Sequence, residues 1–166
     1  MLMNTRSTKL LYYFEMAKAC ARRSTCLRRK VGAVLVDPYG TIVSTGYNGA
    51  PSGEMDCLER GFCWRDEHDI GHGEHYEKCY GVHAEDNAVS QAGKHARGCS
   101  LFLYSEDSSG PVVNYPCIMC TRRLINAWVP VVYVYNPDAE YERDVIIPHD
   151  YYKKLCEELM PNGQTN

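Results

Sequence analysis

The sequence predicts an α/β protein, a three-layer α/β/α sandwich around a mixed sheet, and three observations carry that expectation. Apolar periodicity gives the order helix, hairpin, helix, strand, helix, strand, helix. Val31 to Val36 is a nearly unbroken apolar run, which suits a strand buried on both faces. The 166 residues match one compact domain, taken as residues 1–166, large enough to bury a core without disulfides.

Each element has its own signal. From Ser7 to Arg23, Leu10, Leu11, Phe14, Ala17 and Ala21 recur at helical spacing, with Ser7 or Thr8 as the cap. Val31–Val36, the turn Asp37-Pro38-Tyr39-Gly40 and the β-branched Thr41–Tyr47 make a hairpin. Ala84 to Lys94 reads as the second helix, Leu101 to Tyr104 as the third strand, Cys117 to Ala127 as the third helix and Val131 to Tyr135 as the fourth strand. Tyr151 to Leu159 can close the chain as a helix. Two segments have no regular period, the Cys/His-rich insertion from Asn48 to Val82 and the stretch from Ser105 to Tyr115. Long loops in a compact domain are usually functional.

Composition narrows the function. No apolar run approaches the roughly 20 residues of a membrane span, and the N-terminus lacks an apolar stretch followed by a small-residue cleavage site. A cytoplasmic protein is expected. Its net charge of −3 gives no general attraction to nucleic acid, although Arg22, Arg23, Arg28, Arg29 and Lys30 form a local basic cluster, either a solvated helix end or a site for nucleotide phosphates. Nine cysteines are many for a reducing compartment, and an odd number disfavours full pairing, so metal or catalytic roles are favoured.

The strongest chemical signal is His83-Ala84-Glu85 followed by Pro116-Cys117-Ile118-Met119-Cys120, the zinc-deaminase pattern H-x-E with P-C-x-x-C. Cysteines at i and i+3 share one helix face, and both motifs open predicted helices, where the dipole favours thiolate. His83, Cys117 and Cys120 would leave a fourth zinc position open for water, a Lewis-acid site that generates hydroxide near neutral pH. Glu85 would shuttle protons as the catalytic carboxylate. A redox dithiol at Cys117 and Cys120 would leave His83 and Glu85 unused.

These residues resemble the cytidine and deoxycytidylate deaminase superfamily, most closely its deoxycytidylate (dCMP) deaminase branch. The matching stretches include Arg23-Ser24-Thr25-Cys26, Val31-Gly32-Ala33-Val34, Thr45–Gly53 and Gly81–Ala88. The resemblance implies the cytidine deaminase-like fold, so a mixed sheet of about four to five strands, with a fifth strand either missing or moved to Val145–Ile147. It also implies zinc-dependent hydrolysis of dCMP to dUMP by attack at C4 of cytosine, within pyrimidine nucleotide metabolism. Asn48 would hold the sugar hydroxyl, and Tyr115 would line the base pocket. Family members are often homo-oligomers regulated by dCTP and dTTP with magnesium, and those properties are expected here on the same ground. The long Ser105–Asn114 stretch, and Asp86 where an apolar or amide residue is usual, depart from the family pattern.

A second, structural zinc is expected in the insertion, which cannot fix itself by apolar packing. Its ligands are taken as Cys26, Cys57, His75 and Cys79, with Cys63 or His72 as replacements for His75. The family's paired cysteines at positions matching Cys26 and Cys57 point the same way. Two alternatives stay open, a sister deaminase acting on adenosine in transfer RNA or on guanine, and a non-catalytic zinc-binding module. Mild acidity disfavours the first, and Glu85 the second.

Overall fold

The computed structural model describes residues 6–71, 73–139 and 142–158. Helix α1 (Lys9–Ala21) starts where Thr8 caps it, Oγ1 accepting the Leu11 N–H at 3.2 Å. A hairpin follows, β1 (Lys30–Val36) and β2 (Ile42–Tyr47). Asp37 Oδ1 accepts the N–H groups of Tyr39 and Thr41, and Gly40 takes φ 89°, a backbone state that suits glycine. The insertion then forms two one-turn helices, α2 (Cys57–Arg60) and α3 (Trp64–Glu67), and a 3₁₀ turn at Tyr76–Lys78. After it come α4 (Ala84–Ala92), a 3₁₀ turn at Gly93–Ala96, β3 (Ser100–Asp107), β4 (Gly110–Pro111), α5 (Ile118–Asn126), β5 (Val131–Tyr135), β6 (Arg143–Ile146) and α6 (Pro148–Glu158). Among the described residues no helix is long and apolar enough to cross a membrane.

The sheet order is β2-β1-β3-β5-β6, with β4 folded back on β3; only β3 and β5 pair in parallel, and the other pairs are antiparallel. Period-two alternation divides the strand residues between two cores. Ala33, Leu35, Leu101, Leu103, Val132 and Val134 face Ala84, Ala88, Val89 and Ala92 of α4 and Leu124 of α5. Val34, Val36, Phe102 and Tyr104 face Tyr13, Phe14, Ala17 and Ala21 of α1. On that second face Phe102 lies 4.8 Å from the Tyr13 ring and 4.9 Å from Tyr133. The α/β/α layering expected from the sequence is therefore present, with α6 packed against α5.

One open alternative is decided and two expectations are corrected. The further strand is present, at Arg143–Ile146, overlapping the expected Val145–Ile147 and starting two residues earlier; its edge position needs only one apolar face, so its sequence is half charged. The Ser105–Asn114 stretch is not irregular at its start: β3 continues to Asp107 and reverses into β4, with Asp107 Oδ1 accepting the Ser109 N–H and hydroxyl at 2.8 and 2.6 Å. The last helix begins at Pro148, which suits a first turn because its missing N–H is not needed there. Leu159, the expected end of that helix, lies outside the described residues, as do 161–166.

Both helix layers approach the sheet at a glycine. A Cβ on Gly32 would lie 1.9 Å from the Ala17 carbonyl oxygen, and one on Gly46 would lie 2.2 Å from Ala84 O and 2.6 Å from Ala88 N. These are backbone atoms of α1 and α4, which cannot rotate aside. Gly46→Ala should therefore lift α4 and destabilise the protein by about 1–3 kcal/mol or more, as overpacking does. Urea denaturation checks this; a midpoint equal to wild type would show that α4 is not held where Gly46 permits.

Candidate active site

Since β1 runs antiparallel to both β2 and β3, those two strands point the same way, as does β5. Their carboxyl ends share one edge of the sheet, and α4 and α5 both begin there. This is the edge at which open α/β sheets place ligands. The two helices are pinned together by Arg123 on α5, which pairs with Asp86 at 3.0 Å and donates to Ser90 Oγ at 2.9 Å on α4. Asp86, unusual for the family pattern, thus has a structural task.

His83 is the N-cap of α4 and Cys117 the N-cap of α5, yet neither side chain makes a capping hydrogen bond. Pro116 is buried one position before the cap of α5. His83 Nδ1 lies 3.5 Å from Cys117 Sγ and 3.3 Å from Cys120 Sγ, and the three ligand atoms all fall within 4.8 Å of one another. Zn–S and Zn–N bonds at a tetrahedral angle would set S···N near about 3.6 Å, so this donor set fits zinc. The Tyr76 ring packs edge-on to the imidazole at 4.8 Å and limits its rotation.

The electrostatics agree with a metal-binding pair. The Cys120 thiol donates to Cys117 and, with His83 beside it, holds the Cys117 thiol down at about 4, while that same hydrogen bond and then burial push Cys120 up. Burial alone would lower the imidazole of His83, but its hydrogen bond with Cys117 and the charge of Glu85 outweigh that and raise it. Glu85, in the first turn of α4, is 3% exposed. Burial pushes its carboxyl up, opposed by the charge of His83.

These groups open on a cleft of about 260 Å³. Asn48 and Tyr115, both expected at a substrate pocket, line it. Asn48 bridges the entry of β1, its Oδ1 accepting the Val31 N–H and its Nδ2 donating to Arg29 O, each at 2.8 Å. One amide hydrogen and one lone pair remain for a ligand. The Tyr115 hydroxyl donates to Asp144 on β6 at 2.7 Å, which pushes the phenol up to about 12. Asn136 donates to the same carboxylate at 2.8 Å.

The basic cluster divides. Arg22 and Arg23 are exposed, whereas Arg28 and Arg29 line the cleft, Arg28 bound to Asp66 and Ile70 O and Arg29 to Asn114. The cleft also contains Thr25 and Asn114, to which the sequence patterns gave no role, and Arg65 and Tyr76, which they did not single out. Arg65 offered no signal, because an arginine in a polar segment reads as solvated, yet it is buried.

Of the expected second metal set, Cys26, Cys57 and Cys79 line the same cleft, as does Cys63, but among the described residues only His83, Cys117 and Cys120 bring three ligand atoms within 4.8 Å of one another. Burial pushes the Cys57 thiol up to about 11, helped by the charges of Cys26, Cys63 and Cys79. Cys79 Sγ accepts the Gly81 N–H at 3.4 Å. His75 is not brought to this group: it is half exposed, with Nδ1 3.0 Å from Glu77 Oε1. His72 lies outside the described residues.

The family profile of the cytidine and deoxycytidylate deaminase zinc-binding region matches residues 7–136. The Schizosaccharomyces pombe deoxycytidylate deaminase is 36% identical over 131 residues, covering 77% of this chain; the chain spans only 38% of the length of that relative. The apo crystal structure of the dCMP deaminase from cyanophage S-TIM5 superposes with a TM-score of 0.59 at 25% identity, covering 91% of this chain and 94% of that one. The same phage enzyme in complex with dCMP and dUMP gives 0.51 at 26% identity, over 75% and 79% of the two chains. With most of its length matched, the two motifs side by side and the same fold, this chain belongs to the cytidine and deoxycytidylate deaminase zinc-binding family.

Proposed function

We propose that this protein is a zinc-dependent hydrolase that converts dCMP to dUMP, replacing the amino group at C4 of cytosine with oxygen and releasing ammonia. The observation that carries it is the convergence of His83, Cys117 and Cys120 on one point with the buried Glu85 beside them. The names of the similar yeast and phage enzymes favour dCMP among cytosine compounds. In this reading His83, Cys117 and Cys120 hold the metal. Zinc, when bound, supplies the Lewis acidity that makes a water nucleophilic near neutral pH. Glu85 would take a proton from that water and give it to N3 as the oxygen adds to C4, then take the proton of the new C4 hydroxyl and deliver it to the amine, which leaves as ammonia as the C4 carbonyl forms. Burial suits it to this work, since a raised carboxyl pKa makes it a better proton carrier near neutrality. Asn48 would hold the sugar hydroxyl with its unused donor and acceptor, and Tyr115 would form one wall of the base pocket.

Incubation with cytosine, adenine and guanine nucleosides and nucleotides, with ammonia release measured, tests the substrate. dCMP should give the highest kcat/KM, above CMP and deoxycytidine. Release from adenosine or guanine compounds alone would transfer the site to a sister activity, and no release from any would leave a zinc-binding module.

Glu85 is placed as a proton carrier and not as a ligand. Glu85→Gln keeps the shape and removes the basicity, so turnover should fall by a factor of about 10² to 10⁴, with zinc content equal to wild type. Near-normal turnover would remove Glu85 from the chemistry.

A second, structural zinc in the insertion belongs to the same reading, and Cys63 replaces His75 in its ligand set. Cys26, Cys57, Cys63 and Cys79 line one cleft and feel one another's charge, whereas His75 faces Glu77. Cys57 opens α2 and Cys63 caps α3, so one metal would tie both short helices down. Metal analysis should give about two zinc per chain, one of them lost in Cys57→Ser and Cys63→Ser but retained in His75→Ala. One zinc per chain, lost only when Cys117 or Cys120 is changed, would end the idea.

A further inference from the structure

We infer that Arg65 and Thr25 bind the phosphate of the nucleotide, and that Arg65 makes the cleft select a nucleoside monophosphate over the free nucleoside. This assignment rests on the deaminase reading above and adds to it residues that neither motif contains. Arg65 is 6% exposed and lines the cleft. Its Nη2 donates to Gly71 O and its guanidinium lies 4.5 Å from the centre of the Tyr76 ring, so the group is held in place from two sides. Its Nε, however, is buried with no hydrogen-bond partner among the described residues. Thr25 Oγ1, on the same cleft, is buried and unpartnered as well. A buried polar group without a partner is costly, and a charged donor more so, unless a ligand supplies the acceptor.

The other cleft arginines do not have this character. Arg28 is matched by Asp66 at 3.2 Å, and Arg29 by Asn114 at 3.0 Å with Asp107 at 4.0 Å. Among the described residues no carboxylate ion pair engages Arg65 in the cleft wall. A phosphate supplies both of the missing elements, acceptor oxygens and negative charge. Gly49 contributes by absence: a Cβ there would come within 2.7 Å of Thr25 Oγ1, so glycine leaves the hydroxyl its room. The competing role for Arg65 is a countercharge to the thiols, since its charge is also felt at Cys79. That role would need no orphaned Nε and gives Thr25 nothing to do.

The test compares dCMP with deoxycytidine in steady-state kinetics, and dUMP with deoxyuridine in calorimetric binding, using wild type, Arg65→Gln, Arg65→Lys and Thr25→Val. Zinc content and circular dichroism are recorded for each, and Arg65→Lys and Thr25→Val carry the test if Arg65→Gln does not fold. The ratio of kcat/KM for dCMP to that for deoxycytidine should fall by about 10- to 100-fold in Arg65→Gln, the scale of one charge-assisted hydrogen bond, mainly through KM. Arg65→Lys, which keeps the charge and lacks Nε, and Thr25→Val should each show a smaller fall of the same ratio. The preference of wild type for dUMP over deoxyuridine should shrink in parallel. If wild type deaminates no cytosine compound but Arg65→Gln still loses the preference for dUMP, the deaminase reading fails and the phosphate assignment stands. Unchanged ratios in both assays, or equal losses on nucleotide and nucleoside together with a lost zinc, overturn it.

Discussion

The contact on which the cleft depends is the approach of α4 to the sheet at Gly46, where helix backbone occupies the space that any Cβ would fill. That contact fixes the height of α4 on the sheet. Asn87 Nδ2 donating to Tyr47 O and Ser44 Oγ donating to Ala88 O, each at 2.8 Å, fix its register. The ion pair of Asp86 with Arg123 then sets α5 beside it; both partners are partly exposed, so the pair adds little stability and mostly alignment. His83, Glu85, Cys117 and Cys120 all lie within the first turn of one of these helices or at its cap. Their mutual distances therefore follow from backbone packing, the least yielding kind of contact in the molecule.

This placement also shapes the charge of the site. Two helix N-termini point their unpaired N–H groups at one region, which favours anions there. The Cys117 thiolate gains from that field and from the Cys120 thiol. For Glu85, burial on the first turn outweighs the charge of His83 and the hydrogen bonds that would lower its carboxyl. Two acidic groups on adjoining helices are thus driven in opposite directions, Cys117 toward its ionised form and Glu85 toward its protonated form.

What the sequence shows clearly is what local spacing determines. His83 with Glu85, and Cys117 with Cys120, are read from offsets of two and three residues on helix starts, and the structure brings the ligand atoms together. The core strands were equally legible, since Val31–Val36 and Val131–Tyr135 carry their burial pattern in their own residues. The half-charged β6 was only a suggestion, because an edge strand shows one apolar face and borrows the rest of its order from β5. Within the insertion the choice of His75 over Cys63 could not be made from spacing. Cys63 caps a short helix that returns it to the cleft, while His75 sits at φ 49° with its ring turned to Glu77. Arg65 was invisible for the same reason, since burial of a charged residue in a polar segment is a tertiary fact.

The insertion is therefore not an appendage to the catalytic motifs. α3 carries Arg65 between the Cys63 cap and the Gly71 carbonyl that its Nη2 reaches, and the 3₁₀ turn after it carries Tyr76. Tyr76 touches both the Arg65 guanidinium and the His83 ring. One aromatic side chain thus joins the buried Arg65 guanidinium to the His83 imidazole. A segment this polar has no apolar core to hold such a junction in place, and its two one-turn helices are too short to persist alone. Constraint must come from outside the segment, through Arg28, which pairs with Asp66 and donates to Ile70 O, while the bridge of Gly49 to Val82 closes its base. Arg28 and Arg65 thus hold the neighbouring carbonyls of Ile70 and Gly71 from the cleft wall, so the order of the insertion and the shape of the cleft rise and fall as one property.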